Sequence, residues 1–110
     1  MQIDYDENIN LFIKCINETR YFDAHEALEE IWFPRRFENN DEIKLIKGFI
    51  NAAVSFELLK RGRLESSKKV WKNYLKYKKL LETLKSPYMS RYLNLSTFLE
   101  QKQESLVKNT

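Results

Sequence analysis

The sequence predicts an all-α fold, an up-and-down antiparallel bundle of about five helices. Three observations predict it. Only two glycines and two prolines punctuate 110 residues, too few for the turns of a β-rich fold and suited to long helices with short connections. Apolar residues recur at spacings of three and four along most of the chain. Aromatic residues make up 14% of it, enough bulk to fill a core between helices. A chain of this length is expected to be one domain, 1–110, burying about 65% of the surface its unfolded form exposes.

The first helix is expected over about 7–18, with Ile9, Phe12 and Ile16 one turn apart and Leu11 and Cys15 beside them. The second covers about 20–33. Thr19 is a candidate N-cap. An alternative start has Asp23 capping, with Glu26 three residues on, an Asp version of the capping box. Tyr21, Ala24, Leu28, Ile31 and Trp32 form its apolar stripe, and Pro34 stops or kinks it. Residues 35–40 read as a polar loop.

The third helix, about 41–61, is the most apolar. Ile43, Ile46, Ile50, Ala53 and Val54 make one side; Leu45, Phe49, Ala52, Phe56 and Leu59 make the next. So wide an apolar surface belongs to a central helix. Gly48 and Ala52, one turn apart, are either room for a close helix approach or an incidental pair. Gly62 is placed as the C′ glycine, and the Arg61-Gly62-Arg63 turn is short enough to make a helical hairpin. The fourth helix, about 64–85, carries Val70, Trp71, Tyr74, Tyr77, Leu81 and Leu84 on one stripe, and Pro87 ends it. The last, about 88–106, buries Tyr92, Leu95 and Leu99, or Phe98 on the adjoining face, and fades into a polar tail, 101–110, expected to fray.

The N-terminal stretch from Met1 to Glu7 is acidic, the opposite of a secretory leader, and the apolar run near 49–56 is too short to span a bilayer. The expectation is a cytoplasmic protein with no membrane partner. Cys15, the single cysteine, excludes an internal disulfide and a paired-thiolate metal site. It reads as a small buried hydrophobe. A nucleophilic pairing with His25 would need an orienting group and an oxyanion site that the sequence does not display. The formal charge of +3 conceals an asymmetry. Residues 1–57 hold six Lys/Arg against twelve Asp/Glu, and residues 58–110 hold thirteen against four. Opposite halves pair within the monomer, pair between copies as a homo-oligomer, or present a basic face to an anionic partner.

The most informative segment is Tyr21-Phe22-Asp23-Ala24-His25-Glu26-Ala27-Leu28-Glu29-Glu30-Ile31-Trp32, which carries the only histidine. His25 falls inside an apolar stripe with Glu29 one turn on, so the two side chains meet. Titratable pairs at the edge of a core concentrate at functional sites. The candidate ligand-binding residues are His25, Glu26, Glu29, Trp32 and Asn51. The plainer reading has His25 bonded to Glu29 or a buried carbonyl and Trp32 filling the core. Removing one partner would then cost about 1–3 kcal/mol. As a metal pair, His25 and Glu29 match neither the zincin spacing, which needs a second histidine at position 29, nor the di-iron spacing, which needs a glutamate at Phe22. A divalent metal would need ligands from elsewhere, such as Glu42, Asn51 or Glu57.

The string from Arg20 to Trp32 resembles the signature of a family of small bacterial and archaeal proteins, domain of unknown function 309: Tyr-Phe-Glu-Ala-His-Glu-x-Leu-Glu-x-x-Trp. His25, Glu26, Leu28, Glu29 and Trp32 match it, with Asp23 for Glu. Gly48-Phe49-Ile50-Asn51-Ala52-Ala53 resembles the family's Gly-Leu-Ile-Gln-x-Ala-Ala core, with Asn51 for Gln, and Lys60-Arg61-Gly62 its turn. The resemblance covers about 17–81. It implies an all-helical domain and carries no assigned reaction. It also implies a His or other polar residue near Leu58, a partner of His25 that this chain lacks.

Two further constellations are cationic. Lys68, Lys72, Lys76 and Lys79 form a stripe on the fourth helix, joined by Lys69 and Lys78 and interleaved with Trp71, Tyr74 and Tyr77. Lysines among aromatics suit single-stranded nucleic acid, but these aromatics fall on the core stripe, so a solvated lysine face is the plainer reading. Arg35 and Arg36 after Pro34 are candidate anion binders, together with Lys68, Lys72 and Lys76. The functional expectation is a binding or interaction module with a His/Glu/Trp-lined groove between the second and third helices. One alternative is a metal-binding protein or hydrolase-type enzyme using His25 and Glu29. The other is a nucleic-acid accessory protein using the lysine face. No cofactor is required by the sequence.

Overall fold

The computed structural model describes residues 3–109; Met1 and Gln2 of the acidic start and Thr110 of the tail lie outside the described residues. Five α-helices account for most of the described chain, and no strand occurs in it. Helix α1 spans Tyr5–Asn17, with the Asp4 carboxylate accepting from the Glu7 amide at 3.1 Å, a side-chain cap on an otherwise orphaned donor. Helix α2 spans Tyr21–Trp32 and passes into a 3₁₀ turn, Phe33–Arg35, that places Pro34 where its missing N–H is harmless. Helix α3 spans Asp41–Lys60, capped by the Asn40 side chain on the amides of Glu42 and Ile43 at 2.8 and 3.2 Å. Helix α4 spans Leu64–Lys78, and α5 spans Met89–Lys108.

Each of the first four helices packs on its neighbour in sequence, and α5 returns to α3. The wide apolar surface of α3 is the reason: Ile43, Leu45, Ile46, Phe49, Ile50, Ala52, Ala53 and Phe56 are all buried, on several sides of one helix. Fully burying each large side chain contributes roughly 1.5–3 kcal/mol. Cys15 is a buried thiol, and the Arg20 guanidinium donates to its sulfur at 3.1 Å.

The α3–α4 seam is closed by small residues. A Cβ added at Gly48 would fall 2.7 Å from the Tyr77 Cβ, so glycine there permits the approach. Further along, the Ser55 and Ser67 hydroxyls each donate to the other's carbonyl, at 3.1 and 2.9 Å, and touch at 3.0 Å. Both serines are buried, and the reciprocal bonds satisfy them.

Three local expectations are corrected. Thr19 is not the cap of α2. Its φ of 57° is left-handed, and it closes α1: its amide reaches the Ile16 carbonyl at 3.1 Å, and the Arg20 amide reaches Cys15 at 2.8 Å. This is the Schellman pattern, repeated at Gly62 (φ 76°), where Gly62 and Arg63 donate to Leu59 and Leu58. Nor does Asp23 open a capping box, since α2 begins at Tyr21 with no side-chain cap. The fourth helix stops at Lys78 and tightens into a 3₁₀ turn, Lys79–Glu82, which lets Leu80, Leu81 and Leu84 pack against the core. Helix α5 itself runs to Lys108, with Leu106 packed inward.

Candidate functional site

One helical turn on α2 brings His25 and Glu29 into contact, with His25 Nε2 2.5 Å from Glu29 Oε1. The side chains are 22% and 35% exposed. The pair therefore stands on the rim of the core, at the border of the apolar stripe and not inside it, as a titratable pair at a core edge. Tyr21, Ala24, Ala27, Leu28 and Ile31 form the buried face, and position 25 lies at its border.

The expected groove residues do not line one cavity: His25, Glu29, Trp32 and Asn51 are half-buried along the α2–α3 seam, and Glu26 is exposed. His25 opens onto a hollow of about 260 Å³ walled by Tyr21, Phe22, Val54 and Leu58. Glu57 and Arg61, paired at 3.4 Å, flank it. The Phe22 ring lies 5.6 Å from the imidazole. Burial, and then the Glu57 charge, push the Tyr21 phenol above its ordinary pKa. Glu29 and Glu26 border a different hollow, beside Glu30, Phe33 and Pro34. Trp32 lies further along under Lys47, whose Nζ sits 4.1 Å from the indole centroid, a cation–π bridge from α3 to α2. Asn51 donates back to the Lys47 carbonyl at 2.9 Å, and its amide oxygen takes no partner among the described hydrogen bonds.

As a metal centre the pair offers two donors. Among the described residues no three of His, Cys, Asp or Glu gather around one point. Glu42, suggested as a further ligand, is engaged instead by Tyr92 at 2.5 Å and Ser86 at 2.7 Å.

The cationic candidates do not converge. Arg35 grips Glu38, with contacts of 2.9–3.2 Å, and donates to the Tyr5 hydroxyl at 2.6 Å. The Glu38 hydrogen bond holds Arg35 above its ordinary pKa and Glu38 below its own. Arg36 bonds the Phe33 carbonyl and lies 3.6 Å over the Phe33 ring. On α4, Lys68, Lys72 and Lys76 are exposed, Lys68 beside Glu65 at 3.6 Å. Trp71 packs inward on Phe56 and Tyr74, at 5.9 and 4.6 Å between centroids. Trp71 and Tyr74 are thus turned away from the lysines, while Tyr77 is half-buried with the Lys76 Nζ 5.4 Å from its ring centroid.

Two polar clusters escaped the sequence reading because their members are far apart in the chain. The Tyr74 and Ser96 hydroxyls and one Glu100 oxygen lie 2.6–2.8 Å apart, and Lys78 pairs with the other oxygen at 2.7 Å. Burial raises the Glu100 pKa, but bonds from Lys78, Ser96 and Tyr74 outweigh it and leave the group below its ordinary value. Burial, then the bond to Glu42, pushes Tyr92 far above the phenol range. This second cluster, around Glu42, borders a hollow of about 600 Å³.

A family model described as domain of unknown function (DUF309) matches residues 9–70. No curated protein and no solved structure matches the chain. Among the described residues no helix is long and apolar enough to cross a membrane.

Proposed function

The chain belongs to the family described as domain of unknown function (DUF309), and from that premise we propose that it is a binding module whose recognition surface is the α2–α3 seam. Its occupant is a short polypeptide segment that seats one bulky apolar side chain between Phe22, His25, Val54 and Leu58. The observation that carries this reading is the hollow itself: apolar walls, a polar rim, and a volume of about 260 Å³. Ligand pockets for whole small molecules run to about 300–1,000 Å³, so this one suits a single side chain. The position where the family resemblance implies a polar partner for His25 is Leu58, which makes the floor apolar here. Beyond the hollow, Glu29, Asn51 and Lys47 supply polar groups along the seam that meet the backbone of an extended or helical segment.

The test is selection of a displayed peptide library on the wild-type protein, counter-selected on Leu58→Asp. The expected result is a set of peptides sharing one large apolar residue, each shifting the amide signals of Phe22, His25 and Val54. Failure to enrich any peptide that distinguishes the two proteins would sink the reading.

A further inference from the structure

We infer that the hollow between the N-terminal end of α3 and the start of α5 binds a small organic cation, an amine whose ammonium pairs with Glu42 and whose apolar body lies against Tyr5 and Tyr88. The hollow measures about 600 Å³, within the range of about 300–1,000 Å³ that holds a whole small molecule. It is distinct from the His25 hollow in size, lining and chemistry.

Glu42 is the group that needs explaining. It is half-buried, and its Oε2 accepts from both Tyr92 and Ser86. Its other oxygen has no partner among the described hydrogen bonds, and no Lys, Arg or His of the described residues pairs with it. No unpartnered side-chain oxygen is buried among the described residues, so this one is open to solvent, and Glu42 lines the hollow as a carboxylate with an acceptor to spare. The one guanidinium in the same wall, Arg35, is held by Glu38 and the Tyr5 hydroxyl. The uncommitted charge in the hollow is therefore negative.

The aromatic wall suits the same ligand. Tyr5 and Tyr88 stack with centroids 5.2 Å apart, and Tyr88 continues to Tyr92 at 6.3 Å. Ring faces attract a cation, more strongly once water is displaced. Ile31, Pro34 and Pro87 complete the wall with apolar surface, which an amine with a hydrocarbon body covers and a bare metal ion does not.

The experiment titrates the protein with 2-phenylethylamine and, separately, with 3-phenylpropionate, a ligand of similar size and opposite charge, following amide shifts at Tyr5, Glu42 and Tyr88. The amine is expected to bind saturably and the acid to bind at least about tenfold more weakly. Glu42→Gln keeps an acceptor for Tyr92 and Ser86 and removes the charge, so its melting temperature should hold while amine affinity falls by a similar factor. No saturable amine binding, equal binding of the acid, or undiminished binding to Glu42→Gln overturns the inference. The amine-against-acid comparison on the unaltered chain decides it even if the variant fails to fold.

Discussion

Toward α4, helix α3 presents Gly48 and Ser55, and the two helices close until a methyl group at position 48 would collide with Tyr77. Toward α2 it presents Lys47, Asn51, Val54 and Leu58, all half-buried, and leaves a hollow beside His25. One seam combines small residues at its closest approach with aromatic rings packed on each other, Phe56 on Trp71 and Phe49 beside Tyr74; the other holds polar groups with spare bonding capacity and unfilled space. The first arrangement stabilises a fold, because close approach gains dispersion contacts and excludes water. The second forgoes some of that gain and keeps a surface available for recognition. A single central helix thus divides the two duties between its faces.

The most direct way to break this contrast is Gly48→Ala. Alanine favours a helix by about 1 kcal/mol over glycine, but overpacking against the Tyr77 Cβ outweighs that. A net loss of about 1–2 kcal/mol is expected, read as a lower urea midpoint. Unchanged stability would mean that the closed seam has slack after all.

The two turns that end α1 and α3 sharpen it from another side. They share one backbone pattern, but one has a β-branched residue at the left-handed position and the other has glycine. Gly62→Ala meets no atom within 4 Å, so its expected cost, about 1 kcal/mol, is conformational alone. Thr19→Gly should gain about 0.5–1 kcal/mol, the relief of left-handed strain exceeding the added freedom of the unfolded chain. Thermal melts of both variants check the pair, whose effects should have opposite signs.

Acid tests the packed side of the molecule. Because Glu100 has a folded pKa below its unfolded one, the stability it confers is in place above the ordinary glutamate pKa near ~4.3. That stability is lost as pH falls through the folded value. Glu100→Gln should therefore flatten the fall of unfolding free energy below that range. An unaltered acid profile would refute the assignment. The smallest effect belongs to the open seam: His25→Ala should cost about 0.5 kcal/mol, the scale of a one-turn side-chain pair, while abolishing the peptide response of Phe22 and Val54. A large loss of stability would place His25 in the core after all.

The helices were legible because each repeats its apolar residues at helical spacing, and α3 declared its central place by being apolar on several sides. The glycine at 62 was legible for its conformational licence. Thr19 misled because its hydroxyl suits a cap, whereas its backbone was already committed to ending α1. The early end of α4 was hidden because Leu80, Leu81 and Leu84 keep an apolar pattern through the 3₁₀ turn. At the candidate site, the one-turn spacing of His25 and Glu29 predicted their contact. The division of the groove into separate hollows depended on how α3 lies against α2, which spacing along α2 does not encode. The Glu42–Tyr92 and Glu100–Tyr74 bonds join residues 50 and 26 positions apart, beyond the reach of any local pattern.

Trp32 beneath Lys47 and Trp71 between Phe56 and Tyr74 give each face of α3 its own indole. The molecule thereby carries two fluorophores in two surroundings, one beside a charge and one among rings. With Trp71 replaced by Phe, emission would report what settles beside α2; with Trp32 replaced, it would follow the loosening of the interior. Occupancy and melting could then be watched as separate colours of one light signal.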